Sequence, residues 1–282
     1  MPADFVAWTP DGHLVVVDVA TGARTRELAS VRSIVPVIGP ASVTISRARG
    51  FAVVSWRASE PGCGGFVVGT VALDGFTGLT EWGAGVAPAI SPDGRRVAWL
   101  EPNASNCAVN AVIIRDVDTG EQHPIAITSA ANGIGEQPGP WWTSDSRSII
   151  LRTSTRAFAD STAHSASGLI FDASTASRPA DGAPIDVACL ATSDDLTTLL
   201  PDGTGVMFVH VDDNATRSTV SRCTVGAKRT NVLRVDGQLS VAVPDTSGRH
   251  LLLLDADSNL RISTDGGPPT PINASGYWHV AW

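Results

Sequence analysis

Short apolar runs separated by turn residues recur along the whole chain. The clearest example begins at Val86, where VAPAISPDGRRVAWLEP and NAVIIRDVDTGEQHPI together contain four such runs. Ser91-Pro92-Asp93-Gly94 separates the first run from the second, and Asp118-Thr119-Gly120 separates the third from the fourth. Proline presets φ, an aspartate side chain hydrogen-bonds to the nearby backbone, and glycine takes positive φ. The first segment contains all three residues and the second contains aspartate and glycine, so both are typical turns. We predict that this unit forms four short strands.

Related units occur before and after this one, at residues 43–83, 140–188, 196–235 and 239–272. Near the N-terminus, HLVVVDVATGARTREL (residues 13–28) matches AVIIRDVDTGEQHPI almost position for position, and residues 5–8 match residues 96–99. The N-terminus therefore supplies strands two to four of a further unit. The C-terminal segment 277–282 reads as a lone strand that completes it.

Complementary termini are what a closed ring requires, because closure removes two exposed sheet edges at once. Six units in 282 residues leave about 47 residues each, close to the usual length of a propeller blade. The sequence therefore predicts one all-β domain, a six-bladed β-propeller of four-stranded antiparallel blades, closed by the C-terminal strand joining the N-terminal blade. The predicted blades cover residues 1–28 with 276–282, 33–83, 84–127, 138–188, 195–236 and 237–273.

Composition excludes several other classes of protein. Hydrophobic residues make up 43% of the chain and charged residues 17%, which argues against a disordered chain. The net charge of −8 disfavours a nucleic-acid partner, because phosphate contacts need a basic surface. No apolar run approaches the 18 residues or so that a membrane-spanning helix needs.

The cysteines bear on the compartment. Cys63, Cys107, Cys189 and Cys223 form no C-x-x-C pair, and no histidine lies at zinc-finger spacing from them. Cys63 and Cys107 lie at equivalent places in neighbouring units, so we predict the disulfides Cys63–Cys107 and Cys189–Cys223. Four buried free thiols are the alternative.

Two disulfides predict an oxidising compartment, although residues 1–8 show no signal peptide. We expect an extracytoplasmic protein, secreted or membrane-anchored, whose signal or anchor is missing from this chain. Free thiols would instead indicate the cytoplasm.

The segment SPDGRRVAW resembles the repeats of TolB-type, WD40-like (PD40) propellers. TPDG (9–12), LPDG (200–203) and VPDTSG (243–248) match this repeat in part, whereas SRAR (46–49) and TSDS (143–146) depart from it at the turn. The resemblance covers about five of the six blades. It implies a scaffold that binds a protein or ligand, or an accessory domain of a larger secreted or anchored protein, as in actinobacterial lipoproteins with C-terminal propellers.

Common catalytic and metal-binding motifs are missing from the sequence. It contains no G-x-S-x-G, no P-loop and no H-E-x-x-H. Residues 255–259 begin like a calcium loop but lack its sixth-position glycine and its final glutamate. We therefore expect no metal or other cofactor, and a binding role rather than an enzymatic one.

Loops that join one blade to the next open on one face of a propeller, around the mouth of its channel. Two such segments stand out: residues 128–142, rich in glycine and proline, and residues 275–279, which carry three ring side chains in a row. We predict that aromatic rings near this mouth bind a sugar ring, an apolar peptide side chain or a protein partner. The candidates are Trp141, Trp142, Tyr277, Trp278 and His279.

Core packing is the alternative for several of these rings. Trp142 and Trp282 occupy the position of Ile90 in the clearest unit, which predicts core, while for Trp141 and Trp278 core and surface both stay open. Trp8, Trp56 and Trp99 share a second-strand position and are predicted to lie between blades. A second candidate site is a basic patch on the opposite face, with solvated turns as its alternative: Arg47, Arg49, Arg95 and Arg96.

Three functional hypotheses follow. The first is a non-catalytic, exported binding propeller that recognises a protein or glycan of the cell envelope. The second is an extracytoplasmic sensor domain of a larger membrane protein. The third is an enzyme with its site in the channel, such as a lactonase, a lyase or a glycan-active propeller. It would need acidic or histidine groups on the axis, for which His279, Asp186 and Asp195 are the candidates.

Overall fold

The computed structural model describes residues 1–31, 43–58, 65–105, 108–126, 139–153, 167–173, 183–186, 196–200, 205–224 and 229–282. Within these residues the strands form six four-stranded sheets in which every neighbouring pair is antiparallel. Each sheet is one blade, numbered here in chain order.

The strand bounds are as follows. Blade 1 contains β1 (Asp4–Trp8), β2 (His13–Asp18), β3 (Arg24–Ser30) and, as its innermost strand, β24 (His279–Ala281). Blade 2 contains β4 (Val43–Ser46), β5 (Phe51–Arg57), β6 (Phe66–Ala72) and β7 (Thr80–Ala84), with a short 3-10 helix (Arg47–Arg49) between β4 and β5. Blade 3 contains β8 (Val86–Ile90), β9 (Arg96–Pro102), β10 (Val109–Asp116) and β11 (Gln122–Ala126).

The remaining blades repeat this order. Blade 4 contains β12 (Trp141–Trp142), β13 (Ser148–Thr153), β14 (Ser167–Asp172) and β15 (Ala183–Asp186). Blade 5 contains β16 (Leu196–Leu199), β17 (Gly205–Val211), β18 (Arg217–Thr224) and β19 (Thr230–Asp236). Blade 6 contains β20 (Leu239–Pro244), β21 (His250–Asp255), β22 (Asn259–Thr264) and β23 (Thr270–Ser275).

The C-terminal strand closes the ring. β24 pairs with β1 in the register Val6↔Ala281 and Trp8↔His279, and the Trp278 N–H donates to the Trp8 carbonyl oxygen at 2.9 Å. β24 also lies beside β4 and β20, the innermost strands of the two neighbouring blades. The predicted fold is therefore confirmed: the protein is an all-β, six-bladed propeller whose C-terminal strand completes the N-terminal blade.

The turn between the first and second strands is built from side-chain bonds to the backbone. In blade 3 the Ser91 hydroxyl accepts the Arg96 N–H at 2.9 Å and donates to Asp93 at 2.6 Å. Gly94 takes a φ of 71° in this turn, which L side chains rarely adopt. In blade 4 the equivalent residue is Ser146, with a φ of 61°, and its hydroxyl accepts the Asp93 N–H at 3.1 Å. This bond to the neighbouring blade helps to hold a residue other than glycine there.

The core lies in layers between successive blades. Trp8, Trp56 and Trp99 are all buried, as predicted from their shared second-strand position. Trp99 Nε1 donates to the Ala84 carbonyl oxygen at 3.1 Å, and its ring lies so close to Gly85 that a Cβ there would come within 2.1 Å of it. Glycine at this position therefore allows the second-strand tryptophan to fit between blades 2 and 3. Across the described part of the chain, no helix has the length and apolar character to cross a membrane.

Candidate functional site

The structure separates the five predicted ring side chains. Trp141 and Trp142 form β12 and are both buried. Trp142 Nε1 donates to the Ala89 carbonyl oxygen at 2.9 Å, and the Arg96 guanidinium lies 5.1 Å from the Trp142 ring centroid. Trp142 is thus part of the layer between blades 3 and 4. Nε1 of Trp141 is also buried and has no hydrogen-bond partner among the described residues.

Tyr277 is buried in the layer between blades 6 and 1. Its ring meets Phe5 edge-to-face at a centroid distance of 6.3 Å, and the Arg24 guanidinium lies 5.4 Å from the Tyr277 ring centroid. Trp278 and His279 are only partly buried, and Trp278 packs against the layer between blades 1 and 2. Burial lowers the pKa of His279 to about 4, so its imidazole is neutral at pH 7.

The five rings therefore do not form one exposed cluster, because Trp141, Trp142 and Tyr277 are buried. Trp278 and His279 are the two that keep some contact with solvent. Binding of a ligand at the channel mouth by this pair stays a prediction.

The cysteine prediction falls mostly outside the described residues, since Cys63, Cys107 and Cys189 are not among them. Cys223 lies on β18 and is buried. The pairings Cys63–Cys107 and Cys189–Cys223 both stay predictions.

The calcium-like segment is held by protein groups. Asp255 is buried and accepts bonds from the Asn259 N–H at 2.8 Å and from the Arg261 guanidinium at 3.2 Å. Among the residues that the structure describes, no three histidine, cysteine or acidic side chains are grouped to hold a metal ion. Asp195, one of the channel candidates, lies outside the described residues.

The four arginines predicted as one basic patch separate into different contacts. Arg47 lies 2.7 Å from the Asp4 carboxylate and also donates to the Asp4 carbonyl oxygen, which joins blade 2 to blade 1. Arg49 pairs with Asp118 and so joins blade 2 to blade 3. Arg96 donates to the Ser146 carbonyl oxygen and covers Trp142. Arg95 is exposed on the surface.

Arg47 and Arg49 border an open groove of about 840 Å³ at the end of blade 2, which we call the arginine groove. Blade 1 contributes Arg26, and blade 3 contributes Arg115 and Val117. Its apolar lining is a mixture of buried and half-buried side chains. These are Phe51, Val71, Leu73, Trp82 and Val117.

The lining of the arginine groove contains four arginines and one carboxylate, Asp74, and two of these arginines, Arg47 and Arg49, are paired with Asp4 and Asp118. The Arg115 guanidinium lies 4.9 Å from the Trp82 ring centroid and donates to the Gly120 carbonyl oxygen at 2.9 Å. Neither Arg115 nor the exposed Arg26 belongs to an ion pair found among the described residues. Of the four groove arginines, these two therefore have no carboxylate partner among the described residues, and Arg26 is the more exposed of them.

An exposed phenylalanine lies in the turn beside the arginine groove, next in sequence to lining residues. Phe76 lies in the turn between β6 and β7, flanked by the lining residues Asp74 and Thr77, and 65% of its surface is exposed. Among the described residues only Met1 is a comparably exposed large apolar residue.

The sequence analysis named Arg47 and Arg49 as part of a candidate basic patch, but it did not predict the other residues that line the groove. Arg26, Trp82 and Arg115 come from β3, β7 and β10, in three different blades. Their local sequence carries no sign of convergence, because only the stacking of blades brings them to one place. The one feature of the sequence that could have pointed to this region is Phe76, a large apolar residue in a glycine-rich turn.

These features define the class of protein: a closed six-bladed β-propeller with a basic groove on an otherwise acidic chain. Solved structures share the fold. The chain matches Kuenenia stuttgartiensis hydrazine synthase over 94% of its own length and 77% of that chain, with 17% identity and a TM-score of 0.53. It matches the tricorn protease over 96% of its length and 29% of that chain, with 13% identity and a TM-score of 0.53.

A functionally unknown protein from Desulfotomaculum acetoxidans is similar over 98% of this chain and 81% of its own, with 12% identity and a TM-score of 0.51. At such identities the likeness shows the fold alone, since propellers support many unrelated functions. No family model matches the sequence, and no curated protein was found similar to it.

Proposed function

We propose that this chain is a non-catalytic binding propeller of the TolB-type, WD40-like kind, which works outside the cytoplasm and recognises a protein partner. The observation that carries the proposal is the arginine groove with the exposed Phe76 in the turn beside it. The groove and its surroundings combine apolar lining residues, two arginines that are in no ion pair of the described residues, and an exposed aromatic side chain. Together these features are typical of recognition surfaces.

We therefore propose a binding surface at the arginine groove rather than at the channel mouth that the sequence favoured. The sequence favoured the channel mouth, where the loops between blades lie. The groove lies at the other end of blade 2, beside the turn from β4 to β5 and the turn from β6 to β7. The proposed compartment rests on the predicted disulfides, because disulfides persist in oxidising compartments.

Site-specific photo-crosslinking tests the proposal. The full chain would carry p-benzoylphenylalanine at position 76, and in parallel at Trp278 on the mouth face and at the exposed Asp257 as a control. Each version would be illuminated in an envelope extract of the organism that makes the protein. We expect a crosslinked partner from position 76, abolished by excess unlabelled protein.

A competed crosslink from Trp278 alone would keep the binding function and move the site to the channel mouth. No competed crosslink from either position would contradict the proposed function.

A further inference from the structure

We infer that the arginine groove binds an extended acidic peptide segment that carries an apolar side chain at its centre. The inference rests on the proposed function and names the class of ligand. Its basis is the order of chemical groups along the groove, from blade 1 across the end of blade 2 to blade 3.

The arginines of the groove indicate which residues the ligand carries at its two ends. Arg47 and Arg49 are already paired with Asp4 and Asp118, whereas Arg26 on blade 1 and Arg115 on blade 3 are in no ion pair of the described residues. A guanidinium group binds a carboxylate through paired, charge-assisted hydrogen bonds. The two available cations therefore lie on opposite sides of blade 2, and we expect an acidic residue near each end of the segment.

The apolar residues of the groove indicate an apolar side chain at the centre of the ligand. Leu73 of blade 2 lines the groove and is half-buried, whereas Phe51 and Val71 beneath the same lining are already buried; the exposed Phe76 lies in the adjacent turn. Aliphatic and aromatic contacts of this kind suit an apolar peptide side chain, whose burial is favourable because it removes apolar surface from water.

The same geometry disfavours an acidic glycan. Sugar rings stack on free aromatic faces, but Trp82, the tryptophan of the groove, already contacts Arg115 at 4.9 Å and Trp99 at 6.2 Å. The rest of the apolar lining offers mainly aliphatic contacts. A peptide therefore fits this lining better than a glycan does.

Sheet spacing gives the length of the segment. Packed sheets lie about 10 Å apart, so blades 1 and 3 are separated by roughly 20 Å across blade 2. An extended chain rises about 3.3 Å per residue, so about six residues span the groove. A nonapeptide covers this distance with residues to spare at each end.

Fluorescence anisotropy with a defined probe tests the inference. The probe is a fluorescein-labelled nonapeptide with two glutamates at each end and leucines separated by serines at its centre. We expect saturable binding to the full chain that weakens as salt is raised, because the contacts at both ends are ionic. Peptides with lysine for glutamate, or serine for leucine, should bind at least about tenfold more weakly.

Variants locate the binding site. Arg26→Glu and Phe76→Ser change exposed side chains, and Arg115→Gln removes the charge but keeps a polar group. We expect each to weaken binding about tenfold, and Arg217→Glu, the same charge change at an exposed site on blade 5, to leave it unchanged. Circular dichroism and thermal melting of every variant separate lost binding from lost fold.

Three results would overturn the inference. They are no binding of the acidic peptide, equal binding of the serine-substituted peptide, and polygalacturonate binding that Arg26→Glu abolishes while the peptide fails. In each case a competed crosslink from position 76 would preserve the proposed function, so that only the ligand class would fail. Without that crosslink, the proposed function would fail as well.

Discussion

The Trp282 indole donates its Nε1–H to the Val243 carbonyl oxygen at 2.9 Å, from the last residue of the chain to the innermost strand of blade 6. Trp142 makes the same bond at the same distance to Ala89, from blade 4 to blade 3. In both cases an indole at the end of the first strand satisfies a carbonyl group of the preceding blade. The ring is therefore closed by a contact of the kind that also joins two of its internal blades.

Removing the Trp282 ring should destabilise the fold strongly. We expect Trp282→Ala to lower the free energy of unfolding by about 3–5 kcal/mol, because it empties part of the layer between blades 6 and 1. Trp282→Phe keeps most of the ring but loses the hydrogen bond, and should cost clearly less than Trp282→Ala. Urea unfolding measures both, with the exposed Phe76→Ala as a control within about 0.5 kcal/mol of wild type. Equal stability of Trp282→Ala and wild type would show that this contact does not support closure.

His279 should make the protein less stable in mild acid. Its pKa in the folded state is about 4, below the ordinary value of 6.5, because burial disfavours the charged ring. Between these two values the unfolded chain binds a proton that the folded protein does not. The free energy of unfolding therefore falls as the pH drops from about 6.5 to 4, by at most about 3 kcal/mol.

His279→Gln removes the titrating group, so its unfolding free energy should depend less on pH across the same window. Urea unfolding at several pH values measures the profiles of wild type and variant. Parallel curves for wild type and His279→Gln would show that His279 is not the group responsible.

Asp245 should also make the protein less stable in acid, but at lower pH and because the folded state favours its charged carboxylate, whereas at His279 it favours the neutral ring. Burial alone would raise the pKa of this carboxyl, but hydrogen bonds from the His250 side chain, the His250 N–H and Ser247 lower it overall. The stability that the carboxylate provides is therefore present above about pH 4 and is lost as the pH falls through the folded-state pKa.

Asp245→Asn should lower the free energy of unfolding by about 1.5–3 kcal/mol at pH 7, the usual value for hydrogen bonds to a charged group. The difference from wild type should shrink below pH 4, where the carboxyl becomes protonated. Asp145→Asn, at an exposed aspartate in the corresponding turn of blade 4, should have a much smaller effect. Chemical unfolding at pH 7 and pH 3 measures the comparison, and a difference that grows in acid would contradict it.

Mass spectrometry with and without reduction tests the cysteine predictions. We expect oxidised protein from an oxidising compartment to be lighter by the hydrogens of two disulfides, with peptides mapping to Cys63–Cys107 and Cys189–Cys223. Cys223→Ser should lower the free energy of unfolding by about 2–4 kcal/mol in the oxidised protein only. Four free thiols, detected by mass in protein made under oxidising conditions, would overturn both the pairings and the extracytoplasmic placement.

The fold could be predicted because its signals are local and repeated. Asp93 and Gly94 mark a turn by their own chemistry, and Trp8, Trp56 and Trp99 recur at one position of the second strand. The match between residues 13–28 and blade 3 was enough to assign the closing strand. Ser146 stands where the repeat has glycine, so the repeat pattern did not predict its left-handed backbone. A hydrogen bond from the Asp93 N–H to the Ser146 hydroxyl helps to hold that conformation.

The candidate site could not be predicted in the same way, because it depends on contacts between blades. Tyr277 is buried because Phe5 and Arg24 cover it, and neither lies near it in sequence. Arg26 and Arg115 meet at one groove although each lies on an ordinary strand of a different blade. A repeat pattern shows which residues of a blade face a neighbour, but not which neighbour side chains they meet.

The pairing of β1 with β24 also sets an order of events during synthesis. Among the described strands of the propeller, β1 is synthesised before the others and β24 after them. Until β24 has been made, Val6, Ala7 and Trp8 lack their partners on that strand. Blade 1 must therefore wait with an open inner edge while five complete blades are made, and the nascent chain can pair with other strands at that edge throughout this time.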